Sequence, residues 1–189
     1  MILDIVKAKD TPSAGELAIK RNGRVVGGIH FQSLSGSGVW KVSFAGTELQ
    51  IAEHSSRATT EMLSAYQIDT NGTFSGICYM VHEGSLFNKY DIYEMRYQSL
   101  PYNLYPIAPS DCRALPVFYG NWQVASVEND FSETGLFRNG QILAEDDKSA
   151  IVALAFFCYV RSNPQPLVSV TNKKLLGKID RSFAERIKV

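Results

Sequence analysis

The chain has 189 residues, 45% of them hydrophobic and 20% charged, and its 19 basic side chains balance 19 acidic ones to a formal net charge of zero. A disordered chain would be poorer in apolar residues and richer in net charge, a nucleic-acid binder working by bulk charge would be basic, and a collagen-like or disulfide-dense scaffold would hold far more glycine or cysteine. A globular protein with one core remains, near the upper end of single-domain length.

The N-terminus, MILDIVKAKD, lacks a basic start followed by an apolar stretch and does not read as a secretory signal. Strands then follow one another to about residue 140. Glu16 to Arg21 and Arg24 to Phe31 flank Asn22-Gly23, a strong hairpin signal. Val39 to Ala45 alternates Trp40, Val42 and Phe44 against Lys41 and Ser43, the period of a half-buried strand. Glu48 to His54 follows. A second Asn-Gly pair, Asn71-Gly72, separates Met62 to Asp69 from Thr73 to Glu83, so the Asn71-Gly-Thr73 triplet reads as a turn. Tyr90 to Gln98, Ala114 to Tyr119 and Trp122 to Asn129 continue the series, and Gly135 to Arg138 with Gln141 to Ala144 suggests a last short pair. Regularly spaced short strands of this kind predict a barrel or sandwich of antiparallel hairpins.

The pattern then changes. Asp146 and Asp147 are suited to cap a helix, and Ala150 to Val160 is apolar throughout before Arg161-Ser-Asn-Pro164 stops it. A helix over about 147–161 that is apolar on every side must be covered on every side, which a strongly curled or closed sheet does; a buried strand is the alternative. The run is too short to cross a bilayer. After a linker, Leu175, Ile179, Phe183 and Ile187 form one apolar stripe, predicting an amphipathic helix over about 172–188. Residues 1–163 are thus one β-barrel domain and 164–189 a linker and basic helix. The last eighteen residues carry a net charge of +4 against −4 for the rest.

The order of many strands and then one all-apolar helix, with Pro116-Val-Phe-Tyr-Gly-Asn-Trp-Gln-Val-Ala-Ser-Val-Glu128 ahead of it, resembles the tubby C-terminal domain-like family, which includes LURP-one-related, phospholipid-scramblase-like and small uncharacterised bacterial proteins. The resemblance implies a closed barrel of about a dozen strands around a hydrophobic helix. The family helix normally ends its domain, whereas about 28 residues follow Arg161 here, and no family binding residue finds a counterpart.

Three cysteines, Cys78, Cys112 and Cys158, are an odd number without Cys-x-x-Cys spacing, which reads as reduced thiols in a cytoplasmic protein rather than a disulfide or zinc framework. His30, His54 and His82 lie on strands, two beside a glutamate, but neighbours on a strand face opposite ways and do not share a metal. Cys112, beside Arg113 in the stretch SLPYNLYPIAPSDCR, is a candidate nucleophile without a sequence-local base. The tyrosines at 90, 93, 97, 102 and 105 suit a barrel wall better than a stacking surface. No cofactor is implied and nucleic acid is not an expected partner.

Two functions of different class follow. The first is a non-catalytic binding or adaptor module working through its outer surface, with Lys173, Lys174, Lys178, Arg181, Arg186 and Lys188 as candidate contacts to an anionic membrane surface or an acidic protein. Packing of that helix on its own barrel or in a homodimer competes with this. The second is a metal- or Cys/His-dependent hydrolytic enzyme with residues drawn from separate strands; a pocket joining two of the histidines, Cys112 and carboxylates would mark it.

Overall fold

The computed structural model describes residues 1–7, 15–34, 37–54, 63–83, 90–105, 114–129, 139–162, 179–180 and 182–188. Twelve strands form one closed antiparallel barrel. They are β1 (Ile2–Lys7), β2 (Gly15–Arg21), β3 (Arg24–Leu34), β4 (Ser37–Phe44), β5 (Thr47–Glu53), β6 (Leu63–Thr70), β7 (Thr73–Glu83), β8 (Tyr90–Tyr97), β9 (Leu100–Leu104), β10 (Ala114–Tyr119), β11 (Trp122–Asn129) and β12 (Gly140–Ala144). Each strand pairs with its sequence neighbours, and β1 closes the circuit against β12, with the terminal ammonium of Met1 donating to the Ala144 carbonyl. Closure removes every sheet edge.

Up-and-down order places five two-residue turns at one end of the barrel, joining β2–β3, β4–β5, β6–β7, β8–β9 and β10–β11. Asn22-Gly23 and Asn71-Gly72 have positive φ at both positions, 51° and 76° and then 50° and 78°, which matches the twist of the strands they join. Ala45-Gly46 does the same with a non-glycine first residue, and Gln98-Ser99 with neither residue glycine (φ 49° and 65°). The stretch SLPYNLYPIAPSDCR, which shows no strand pattern in the sequence, contains β9. Gly140–Ala144 pairs with β1 and β11, while residues 135–138, its expected partner, lie outside the described residues.

Period-two alternation sends Leu17, Ile19, Ile29, Trp40, Val42, Leu49 and Ile51 into one core. Tyr93, Tyr97 and Tyr102 belong to that core, as a wall reading of the tyrosines requires, and Tyr105 is buried against Phe118.

Helix α1 spans Asp147–Ser162, so the buried-strand alternative is excluded. Asp146 starts it: its Oδ1 accepts the Ser149 N–H at 2.7 Å. Every residue from Ser149 to Arg161 is buried. Tyr159 meets Tyr66 of β6 and Tyr93 of β8 edge-on, with ring centroids 5.2 and 5.4 Å away. A Cβ at Gly140 of β12 would stand 2.7 Å from the Phe157 ring. The Arg161 guanidinium lies 3.8 Å over that same ring and donates to the Asn139 carbonyl. Burying a large apolar side chain stabilises by about 1.5–3 kcal/mol, so the run Ile151 to Val160 is a principal source of cohesion.

The second helix, α2, is Phe183–Lys188, shorter than the 172–188 expected from the apolar stripe. Ile179 and Asp180 are not helical, and residues 163–178 lie outside the described residues. The helix starts late because Asp180 Oδ1 accepts both the backbone N–H and the hydroxyl of Ser182, a local bond that competes with helix. Among the described residues no helix is long and apolar enough to cross a membrane.

Candidate functional site

Among the described residues, the sequence-derived candidates do not assemble into one place. His30, on β3, stands with Nδ1 3.5 Å from Glu16 Oε1 on the outer face, both half exposed. His54 follows β5, and His82 is paired in register with Asp91. Among the described residues no three His, Cys, Asp or Glu gather as a metal site. Cys112 lies outside the described residues. Cys78 and Cys158 are free and buried in the core, and burial pushes both thiols well above their ordinary range. They are packing residues.

Of the six candidate cations, Lys173, Lys174, Lys178 and Arg181 lie outside the described residues, and nothing is described of the Lys188 side chain. Arg186 is engaged within the chain: Nη1 donates to Glu145 Oε1 at 2.7 Å and Nη2 to Asp180 Oδ2 at 2.9 Å. Those two acceptors raise its pKa. Asp180 is held below the usual carboxylate range, first by the Ser182 hydroxyl and then by Arg186. This part of the C-terminal segment therefore packs on its own barrel.

The outer surface shows an organisation that the sequence reading missed. Asn22, Asn71 and Gly120 begin turns 49 residues apart in the numbering. Each turn is followed by the same irregularity: Val26 of β3, Ser75 of β7 and Val124 of β11 are skipped in the register with the preceding strand. These are β-bulges, which bend a strand and re-aim its side chains. The residue after the bulge is Gly27, Gly76 or Ala125, and the residue two places further inward is Ile29, Cys78 or Val127, all three in the core. The barrel thus repeats a four-strand unit three times. β2–β5 is the first, β6–β9 the second, and β10–β12 completed by β1 the third.

The repeat creates equivalent outer positions. In the second unit a groove of about 620 Å³ is lined by Phe74, Ile77, Arg96, Gln98 and Pro101. In the first a smaller one, about 380 Å³, lies over Gly28 with Val25, Lys41, Ser43 and Glu48 on its walls. Gly27 and Gly76 mark close approaches of neighbouring strands there, because a Cβ on either would strike the carbonyl oxygen of Ser43 or Arg96 on the next strand. In the third unit the position is covered. Gln123, Ser126 and Leu143 are buried although they alternate with core residues. Asp180 N–H donates to Gln123 Oε1 at 3.0 Å, α2 packs on β12, and Phe183 is 2% exposed.

The exposed apolar side chains follow the same plan. Val25 (66% exposed), Phe74 (64%) and Trp122 (79%) each stand beside the turn that opens β3, β7 or β11. In the closed strand order these three strands are four apart, so the side chains divide the rim into thirds. The signal in the sequence was the 49-residue spacing of the turns. No protein-family model, no curated protein and no solved structure matches this chain.

Proposed function

We propose that this protein is a non-catalytic binding or adaptor module that works through its outer surface. The observation that carries the reading is the placement of Val25, Phe74 and Trp122, large apolar side chains left in water beside three turns of one rim. Their regular placement around one rim, two of them beside grooves, favours contact through the outer surface. The C-terminal cations are a second contact, directed at an anionic surface, with Arg186 partly committed to Glu145 and Asp180.

The same proposal includes a tubby-like arrangement in which α1 fills the barrel and the protein works in the cytoplasm. Three features support a filled barrel. Residues of α1 are buried all round, they share one core with the strands, and they approach β4, β5, β8, β11 and β12, which lie on different sides of the circuit. A filled interior leaves ligand contact to the outside.

The test is site-specific photo-crosslinking in cells of the source organism. A crosslinker is placed at Phe74 or Trp122, and at exposed Gln50 and Glu53, which line neither groove, as controls. Discrete adducts from the rim positions alone support the module reading. Adducts equally frequent at all four, or none at the rim, overturn it.

A further inference from the structure

We infer that the groove between Phe74 and Arg96 is a docking site for a short segment of a partner protein that carries an aromatic side chain next to a carboxylate. The inference rests on the outer-surface reading above and names the partner's chemistry at one of its positions.

The third repeat shows what such a position takes. There the chain covers the groove with its own residues: one helical turn buries Phe183, a backbone N–H is received by Gln123, and a charge at Arg186 meets Glu145 on the barrel. The second repeat presents the same place uncovered. Phe74 stands where Gln123 stands in the third, and Gly76 where Ala125 stands. The opening, about 620 Å³, has room for an aromatic ring and the backbone on either side of it. Phe74, Ile77 and Pro101 supply apolar walls to that ring.

The charge differs from the covered position, and that difference selects the partner. The third unit offers a carboxylate, Glu145, and its occupant answers with Arg186. The second offers an exposed guanidinium, Arg96, and its occupant must answer with a carboxylate, the group that a planar guanidinium binds in two-pronged fashion. Glu94, the nearest carboxylate on the same strand, accepts the Tyr79 hydroxyl at 2.8 Å. Burial first, and then that bond to Glu94, raise the Tyr79 pKa, and Arg96 opposes the rise. The first repeat is a poorer receptor for such a segment: its groove is smaller and carries Glu16 and Glu48 as well as Lys41. One aromatic anchor in an apolar pocket beside an arginine is a common hot-spot composition.

The experiment selects phage-displayed random short peptides on the full immobilised chain and measures the affinity of the enriched peptides. The expected peptides pair an aromatic residue with Asp or Glu. Phe74→Ser weakens them about tenfold or more, the effect of losing one apolar wall around the docked ring. Arg96→Glu switches the preference to peptides bearing Lys or Arg, and Gln50→Ser, at an exposed site outside both grooves, leaves affinity unchanged. Enriched peptides indifferent to Phe74→Ser and Arg96→Glu overturn the inference; the module reading then stands on the crosslinks from Trp122. Failure to enrich any peptide also overturns it. If either variant unfolds early, a benzophenone-bearing copy of the best peptide replaces it. Crosslinks to β7–β9 of the unaltered chain uphold the inference, and crosslinks elsewhere sink it.

Discussion

The indole N–H of Trp40 on β4 donates a 2.6 Å hydrogen bond to the Oγ of Ser162, the last residue of α1. That hydroxyl donates in turn to the Cys158 carbonyl one turn back. A wall residue is thereby tied to the end of the apolar helix across 122 positions of sequence. Ser162→Ala removes the acceptor from a part-buried site and is expected to lower the unfolding free energy by about 1–3 kcal/mol in urea titrations. An unchanged midpoint would show that the bond adds nothing.

Gly27 and Gly76 are expected to resist substitution for a shared reason. An added Cβ at either meets a cross-strand backbone carbonyl rather than a flexible side chain. Gly27→Ala and Gly76→Ala should each destabilise by about 1–3 kcal/mol, as crowding of a well-packed site does. Gly28→Ala, where the nearest atom is 3.6 Å away, should be mild by comparison. Thermal midpoints of the three variants decide the point.

Asp146 links helix stability to pH. Its bond from the Ser149 N–H holds the carboxyl below its ordinary range, with burial acting the other way. A depressed folded pKa means that the stabilisation is complete above the ordinary carboxylate pKa and is lost as pH falls through the folded value. Asp146→Ala should therefore cost about 0.5–2 kcal/mol at neutral pH. The gap between variant and parent should narrow below about pH 4. A gap constant from pH 7 to pH 3 would contradict this.

The Gln98-Ser99 turn holds two side chains in a backbone region that favours glycine and asparagine. Replacing the pair with Asn-Gly, as in the turns at 22–23 and 71–72, should raise the unfolding free energy by about 1 kcal/mol. Gln98 also lines the Phe74 groove, so peptide affinity for this variant reports whether that side chain is used. A fall in thermal midpoint would refute the strain reading.

The cationic tail gives a separate outcome. A Lys173→Glu, Lys174→Glu, Lys178→Glu variant should lose cosedimentation with phosphatidylserine vesicles, since each cation near such a surface is worth about 1 kcal/mol. Phosphatidylcholine vesicles serve as the reference. Equal sedimentation of parent and variant would remove the anionic-surface contact.

Much of the barrel was legible because its strongest cues are local. Asn22-Gly23 and Asn71-Gly72 fix hairpins by backbone conformation alone, and Trp40, Val42 and Phe44 declare a face by alternation. The unbroken Ala150 to Val160 run marked a helix buried on every side. β9 was hidden because Pro101, unable to donate a ladder hydrogen bond, sits inside it. The grooves were hidden for a different reason. The threefold repeat is conserved between units in turn and bulge, which are backbone properties, while its outer side chains differ: Val25, Phe74 and Gln123 share a place and little chemistry. Arg96 was legible only as one member of an alternating strand; its meaning comes from Phe74 and Pro101, which are brought beside it by pairing.

The seam between β1 and β12 sets an order on assembly. The third repeat is finished by β1, which precedes the other strands of the barrel in the chain, so a nascent chain holding the first two units still lacks the strand against which Ile2 to Ile5 must align. That strand begins only at Gly140, 135 positions after Ile5. Until Gly140 to Leu143 emerge, both borders of the growing sheet stay open to other chains. Closure is then a single late event that joins β1 to β12.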